Sequence, residues 1–268
     1  MLISSVIRTI FLIVVIMLSG CSPETPPATL KIGYTHEPPY SYVNEVGEVR
    51  GIYPDVARQI TRKMGVDNVK WVLLSFDRLI PALLNNRIDV IAAGMAVTRA
   101  RTEQNLCFTT PLSQSNTAVL WRKDNNNVIS EAPLSSQALR FVVIDGSSEE
   151  SILKQHYEPE ALLSVEDIRL GLLALKSGRA DMLVMTRPTL MQVSEETPER
   201  YQIKDGLGIL ENRQVSAFVI RKEDTELAQR WNTAQASVSK QEDTLSALTQ
   251  GGMTPFDASL HKERCYTL

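Results

Sequence analysis

The sequence has little of what metal sites and nucleic-acid interfaces require. It contains three cysteines and three histidines in 268 residues, and no spacing of His, Cys, Asp and Glu resembles that of a metal site. The formal net charge is −3, and no block of like charge is present. The sequence therefore predicts no metal, no cofactor and no nucleic-acid partner.

What the chain does contain is typical of a globular protein with a leader. Hydrophobic residues make up 43% and charged residues 22%, and the length suits one large or two ordinary domains. Residues 1–20 differ from the rest, because Arg8 is followed by an apolar run of secretory-signal length. The sequence predicts a signal peptide there.

The end of this leader, Leu18-Ser19-Gly20-Cys21, resembles a bacterial lipobox. The resemblance implies cleavage before Cys21 and a lipid on its sulfur, and more than one acyl chain gives stable membrane attachment. The alternatives are a plain signal peptide or an uncleaved anchor helix. Residues 21–29 contain three prolines and no apolar period, so we expect them to be a tether.

Export places the two remaining cysteines in an oxidising compartment. A disulfide between Cys107 and Cys265 would tie the C-terminal tail to the first half of the chain. The alternative is two independent thiols, with Cys107 a small buried residue beside Phe108.

The strongest local signal is an apolar run followed by a polar turn. Residues 90–95 predict a short buried strand, and Gly94-x-x-x-Thr98-x-x-Arg101 follows as a turn into a helix. Gly94 permits close approach of a bound group, Thr98 can cap the helix, and Arg101 can grip a carboxylate with two N–H groups. The alternative is an ordinary capped helix with Arg101 in solvent.

This element resembles the glycine, threonine and arginine signature of the family 3 periplasmic solute-binding proteins, which serve amino-acid-type ABC importers. The chain departs from the family pattern at Ala96, where a hydroxyl is missing. The resemblance runs from about residue 30 to about residue 248. It implies an α/β, type II periplasmic-binding-protein fold: two lobes, two hinge crossings and ligand in the cleft between them.

The expected lobes follow from the same resemblance. Residues 30–121 and 217–268 would form the first lobe and residues 122–216 the second, with a crossing in the polar run 122–127. Short strands are predicted at residues 30–34, 69–73 and 141–144, and helices at 52–64, 76–85 and 168–176. Residues 223–248 are predicted as one helix.

The second lobe carries its own candidate anion site. A strand ending at Ile144 is followed by Asp145-Gly146-Ser147-Ser148-Glu149, whose backbone N–H groups and two serine hydroxyls can donate to an anion. Capping boxes have the same appearance. Together with the Arg101 turn, this element suggests one ligand anion held from two sides.

The loop with Glu37 and Tyr40 provides the other candidate ligand contacts. Consecutive prolines between these residues fix the backbone. Unaided, the loop could equally be a surface loop with a packed Tyr40, and Phe76 could belong to the core. The family resemblance implies that Glu37 and Tyr40 line the ligand site and that Phe76 faces the cleft.

The resemblance extends to a branch that binds ectoine and hydroxyectoine. Thr186 stands where α-amino-acid binders in the family have an Asp, so the acid would have to come from Glu37. By resemblance, Arg101 takes the carboxylate of a compact zwitterion, Glu37 takes its cation, and Tyr40 and Phe76 stack on it. A third aromatic of that cage is absent at Ala96, which leaves room for a larger cationic derivative.

The predicted function is therefore a monomeric, lipid-anchored, extracytoplasmic binding protein that passes a small zwitterion to an ABC permease. One alternative is a ligand-sensing partner of a membrane receptor. Another is an enzyme similar to cyclohexadienyl dehydratase, which needs a proton-transferring group in the cleft. Glu37 is the one such acid in the predicted cleft, and we expect no enzymatic activity.

Overall fold

The computed structural model describes residues 29–125, 128, 138–206, 208–210, 213–260 and 263–267. The predicted signal peptide, Cys21 and nearly all of the predicted tether lie outside these residues, as do residues 126 and 127 of the predicted crossing. Within the described ranges, no helix is both long enough and apolar enough to cross a membrane.

Strands and helices alternate along the chain. The strands are β1 Leu30–Tyr34, β2 Tyr42–Val43, β3 Val49–Arg50, β4 Val69–Leu73, β5 Val90–Ala96, β6 Leu106–Phe108, β7 Ser113–Arg122, β8 Phe141–Ile144, β9 Leu162–Val165, β10 Met182–Thr186, β11 Tyr201–Asp205, β12 Arg213–Arg221 and β13 Thr254–Pro255. The helices are α1 Ile52–Lys63, α2 Phe76–Leu84, α3 Arg99–Thr102, α4 Ser148–Leu153, α5 Ile168–Lys176, α6 Arg187–Glu196, α7 Thr225–Val238 and α8 Glu242–Gln250.

The first lobe is built on a mixed sheet. β1 pairs in parallel with β4 and β5, and β12 pairs antiparallel with β5 and β6. Parallel neighbours need a helical crossover, which α1 and α2 supply. Along β5, Val90 packs with Trp231 in one core and Ile91 packs with Leu79 in the other. This alternation buries both faces of the sheet and explains why the strand is an almost continuous apolar run.

The second lobe repeats this construction. β8 pairs in parallel with β9 and β10, and the later part of β7 pairs antiparallel with β10 and β11. Val142 belongs to the core under α5 and α6, whereas Val143 belongs to the core on the opposite face. The mixed α/β, two-lobed fold that the sequence predicted is thus confirmed.

The lobes are joined by two long strands. β7 pairs with β12 over residues 113–116 and with the second-lobe strands β10 and β11 from Thr117 onward. The chain therefore crosses between lobes inside β7, near Asn116 and Thr117, before the polar run where the sequence placed the crossing. A continuous extended strand can change neighbours along its length without any break in its sequence pattern.

The prediction of one continuous helix over residues 223–248 is wrong, because the structure has two helices there. α7 ends at Val238 and α8 begins at Glu242, and Gln241 between them has an extended backbone with φ −71° and ψ 141°. The segment Ser239-Lys240-Gln241 is polar and has no apolar residue to bury, which lets the chain turn there.

The C-terminal tail is fixed to the first lobe by the predicted disulfide. Cys107 in β6 and Cys265 are bonded with an S–S distance of 2.08 Å. Beside this bond, the backbone N–H of Tyr266 donates to the carbonyl of Phe108 at 2.8 Å. The two cysteines are therefore bridged rather than independent thiols, and Cys107 is fully buried.

Candidate functional site

A cavity lies between the two lobes, where the ends of β1, β5, β8 and β10 meet. All of the predicted ligand-binding residues except Tyr40 and Thr98 line it. The lining side chains and backbone come from both lobes: Glu37, Phe76, Gly94, Ala96, Arg101, Ile144, Ser147, Ser148, Glu149, Val184, Met185, Thr186 and Gln214.

The Arg101 side chain is delivered by the turn that the sequence singled out. β5 ends at Ala96, and the Thr98 hydroxyl accepts a hydrogen bond from the Arg101 backbone N–H at 3.3 Å, as expected of a helix cap. The guanidinium is buried, with 6% of the residue exposed. Its Nη1 donates to the Ala96 carbonyl at 2.7 Å, and its Nη2 donates to the Gly146 carbonyl of the second lobe at 2.8 Å.

These two hydrogen bonds hold the guanidinium in place and leave some of its N–H donors for a ligand. Burial lowers the pKa of Arg101 to about 10, while the nearby Glu149 acts in the opposite direction, so the side chain stays charged at neutral pH. Its carbon Cζ lies 5.5 Å from the centroid of the Phe76 ring, which places Phe76 at the cleft. A guanidinium has five N–H donors, so donors remain for an anion.

Glu37 faces Arg101's cavity from the loop after β1. The backbone N–H and carbonyl of Glu37 bond to the carbonyl and N–H of Ser41, which holds the loop in place. The carboxylate Oε1 accepts from the hydroxyl of Thr189 at 3.1 Å and from that of Thr186 at 3.4 Å, both in the second lobe. Glu37 and Arg101 therefore each bond across the cleft.

The carboxyl group of Glu37 is costly to ionise in this setting. Burial and, next, repulsion from Glu149 raise the pKa of Glu37 to about 7, although the two threonine hydroxyls act in the opposite direction. The hydroxyls stabilise the anion only partly, since neither carries charge. A cation next to this carboxylate would favour its ionised form.

Tyr40 does not line the cavity, and the prediction that it stacks on a ligand is wrong. It is 1% exposed, its ring stacks on Tyr53 at 6.1 Å, and its hydroxyl bonds to that of Ser115 at 2.9 Å. The ring lies against Gly94, where an added Cβ would be 2.2 Å from the Tyr40 ring. Gly94 thus admits the close approach of Tyr40, in addition to lining the cavity with its backbone.

The Gly-Ser-Ser turn of the second lobe reaches the cavity, and both of its serine hydroxyls have hydrogen-bond partners within the protein. The Ser147 hydroxyl caps α4 by accepting from the Glu150 backbone N–H at 3.0 Å. The Ser148 hydroxyl lies 3.0 Å from Glu149 Oε2 and 3.1 Å from Gln214 Oε1. α3 and α4 are only four and six residues long, so little helix dipole is available for an anion.

Sequence reasoning missed two polar residues of the site, Glu149 and Gln214. Glu149 is 4% exposed and directly follows the serine pair, so its position in the motif was an available signal. Gln214 lies on the crossing strand β12, and its amide nitrogen donates to Glu149 at 2.8 Å and to Thr117 of β7 at 2.9 Å. Nothing local in the sequence marks Gln214, because only the pairing of β7 with β12 brings it to the cavity.

Thr186 lies where the sequence expected it, at the end of β10 and on the cavity wall. It begins α6 as the N-terminal flanking residue, but its hydroxyl makes no cap and instead bonds to Thr189 and Glu37. The acid at this part of the cavity therefore belongs to the first lobe.

Similarity to known proteins agrees with this architecture. The chain is 27% identical over 236 residues to a probable amino-acid ABC transporter periplasmic-binding protein of Sinorhizobium fredii, covering 84% of this chain and 77% of that protein. It is 30% identical over 182 residues to a probable histidine-binding protein of Campylobacter jejuni, covering 66% and 69%.

Among solved structures, holo ArgBP from T. maritima matches with a TM-score of 0.70 and 26% sequence identity, covering 83% of this chain and 95% of that chain. The family model of bacterial extracellular solute-binding proteins, family 3, matches residues 30–250, which includes every residue of the cavity wall. With both lobes, both crossing strands and the interlobe cavity inside that match, this chain belongs to the bacterial extracellular solute-binding proteins of family 3.

Proposed function

We propose that the protein is the binding subunit of an amino-acid-type ABC importer and holds a small zwitterion between its lobes. The observation that carries the proposal is the pair Arg101 and Glu37, a guanidinium and a carboxylate that line one interlobe cavity. Opposite charges that line one cavity suit a molecule that carries both signs. Relatives named for amino-acid, histidine and arginine binding support the same class of ligand.

In this proposal, Arg101 binds the ligand carboxylate. Its guanidinium is held by the carbonyls of Ala96 and Gly146, so it is oriented before the ligand arrives. Preorganised donors lose less conformational entropy on binding, and a carboxylate accepts two parallel N–H bonds from a guanidinium. The backbone at Gly94 and the turn at Ser147 would enclose the carboxylate from the two lobes.

Glu37 binds the ligand cation, and the ring of Phe76 covers it. Because Thr186 is uncharged, Glu37 serves in its place as the acid that pairs with the ligand cation. The Phe76 ring already lies beside one cation, Arg101, and an aromatic face contributes roughly 0.5–2 kcal/mol to a neighbouring cation. With Tyr40 in the core, one ring of the expected aromatic cage is absent.

The proposed ligand is an ectoine-like compatible solute or a polar amino-acid derivative. Glu37 and Phe76 support the ectoine-like choice. The burial of Tyr40 and the small side chain of Ala96 favour a ligand that needs fewer aromatic contacts. Binding and release would occur by hinge motion at β7 and β12, the two strands that join the lobes.

The protein acts by binding rather than by catalysis, outside the cytoplasm and attached to a membrane by lipid on Cys21. The lipobox-like Leu18-Ser19-Gly20-Cys21 supports the anchor. A monomer suffices, since both halves of the site come from one chain.

Thermal-shift screening followed by titration calorimetry tests the function. The panel holds ectoine, hydroxyectoine, glycine betaine and the polar amino acids, with neutral sugars as the control class. We expect at least one zwitterion to raise the melting temperature and to bind one molecule per chain. Binding of sugars alone, or of no zwitterion, would contradict the proposal.

A further inference from the structure

The cavity holds a second carboxylate, Glu149, which interacts electrostatically with the nearby Arg101 but forms no salt bridge within the described residues, and the zwitterion model gives it no ligand group to bind. Its Oε1 accepts from the amide of Gln214 at 2.8 Å and lies 3.5 Å from the hydroxyl of Thr117, and its Oε2 accepts from Ser148 at 3.0 Å. All three donors are uncharged. Among the residues that the structure describes, no Lys, Arg or His nitrogen lies within 4.0 Å of either Glu149 or Glu37.

The charges of the cavity wall do not balance. In the described part of the chain, the cavity is lined by one cationic side chain, Arg101, and two acidic ones, Glu37 and Glu149. A zwitterion adds no net charge, and because its cation would favour the ionised form of Glu37, whose pKa is raised to about 7, two carboxylates would then face Arg101 alone. Because a buried charge without a partner is costly, the wall favours a ligand with an additional positive charge.

Resting on the function proposed above, we infer that the ligand is an amino-acid-type molecule with a second cationic group, and that Glu149 binds that group. The first lobe then supplies Arg101 and Glu37 for the carboxylate and one cation. The second lobe supplies Glu149 for the other cation. A net-neutral solute such as ectoine would be disfavoured. Of the two proposed ligand classes, the amino-acid derivative is then the favoured one.

Apolar residues in the same cavity wall suit the aliphatic part of such a ligand. Ile144, Val184 and Met185 of the second lobe line the cavity together with Glu149. A cationic side chain carries a methylene stem that packs on apolar residues while its charged end reaches a polar group. Glu149 itself is fixed by Gln214 and Thr117, one from each crossing strand, so its carboxylate is held in position.

Glu37 and Glu149 also influence each other electrostatically, which supports a role for both in binding the same ligand. Repulsion from Glu149 contributes to the raised pKa of Glu37, after burial. A dication-bearing ligand would remove this repulsion by pairing with both groups. We therefore expect binding to release a proton from Glu37 near neutral pH, with affinity rising from pH 6 to pH 8.

The test compares L-arginine with L-citrulline, which has nearly the same shape but a neutral end, by titration calorimetry at pH 7.5. L-lysine and ectoine are measured alongside. We expect the wild-type protein to prefer L-arginine over L-citrulline by about tenfold or more, as loss of a charged hydrogen bond implies. In Glu149→Gln this preference should fall to about threefold or less, while citrulline affinity is retained.

Glu150→Gln is the matched control, because Glu150 is equally buried and adjacent but does not line the cavity. It should keep the preference for L-arginine, and thermal unfolding checks that both variants fold.

Equal affinity for L-arginine and L-citrulline in the wild type would overturn the inference whatever the variants do. An unchanged preference in Glu149→Gln would overturn the role of Glu149. Tight binding of ectoine alone would overturn this inference yet leave the proposed function standing, whereas binding of no zwitterion would contradict both.

Discussion

Arg101 Nη2 donates a 2.8 Å hydrogen bond to the carbonyl of Gly146, across the boundary between the lobes. The same guanidinium donates to Ala96 in its own lobe at 2.7 Å. One side chain therefore lines the ligand cavity and also joins the two walls of the cleft. In our account, lobe closure and carboxylate binding depend on the same group.

Arg101→Lys tests whether ligand binding needs the planar guanidinium of Arg101 or only its positive charge. Lysine keeps the positive charge but cannot present the planar fork that reaches Ala96, Gly146 and a ligand carboxylate together. We expect ligand affinity to fall by about 1.5–3 kcal/mol, the contribution of one charged hydrogen bond. Calorimetry measures the effect, and an affinity equal to that of the wild type would show that charge alone suffices.

Gly94→Ala should destabilise the first lobe. Its Cβ would lie 2.2 Å from the Tyr40 ring, and Gly94 has a φ of +64°, which disfavours any side chain. Gly47→Ala is the control, because Gly47 has a φ of +82° but no atom near the added Cβ. We expect about 1–2 kcal/mol for the control, from conformation alone, and clearly more for Gly94→Ala. Urea unfolding measures both, and similar losses would contradict the packing of Tyr40 under Gly94.

The free energy of unfolding should depend on pH because of Glu37. The pKa of Glu37 is raised from 4.5 to about 7, so the folded state holds this proton more tightly than the unfolded state does. The stability that Glu37 contributes is present below pH 4.5 and is lost as pH rises through about 7.

Glu37→Gln removes this titration and serves as its test. Without ligand, the stability of the variant relative to the wild type should rise between about pH 4.5 and pH 7 and level off above that. Denaturant unfolding at several pH values gives the difference directly. A difference that does not change with pH would mean that Glu37 has an ordinary pKa.

Reducing the Cys107–Cys265 bond should destabilise the protein. The cysteines are 158 residues apart, so the bond closes a large loop in the unfolded chain. Bonds of this kind typically contribute about 2–4 kcal/mol. Thermal unfolding with and without reductant gives the effect, and Cys107→Ala/Cys265→Ala should match the reduced protein and be insensitive to reductant. A reductant effect in that double variant would point to another cause.

The anchor makes a prediction about fractionation. Cys21→Ser removes the sulfur that would carry lipid, so the protein should move from the membrane pellet to the soluble exported fraction. Ser22→Ala is a neighbouring control that should stay with the membrane. Retention of Cys21→Ser in the pellet would indicate a different means of attachment.

The sequence predicted those parts of the fold and site that depend on local pattern. The strand before Gly94 and the cap at Thr98 follow from periodicity and capping chemistry, and family resemblance added Glu37 and Phe76. The position of Tyr40 could not be predicted in this way. It depends on the space left by Gly94 on another strand, which only tertiary packing reveals.

Long-range strand pairing also explains why the sequence did not identify Gln214 and misplaced the lobe crossing. Gln214 reaches the cavity because β12 pairs with β7, two segments about one hundred residues apart in the chain, and it then holds Glu149. The lobe crossing was misplaced because Ser113–Arg122 is one continuous strand whose neighbours change midway. Long-range pairing leaves no local mark in either case.

The central claim, that Arg101 binds the ligand carboxylate, is tested most directly by a calorimetric cycle. The wild type and Arg101→Ala are each titrated with L-arginine and with L-argininamide, in which the carboxylate is replaced by a neutral amide. We predict that the wild type prefers the carboxylate form by tenfold or more and that Arg101→Ala loses this preference, as the removal of one partner of a charged pair implies. An equal preference in both proteins would contradict the account.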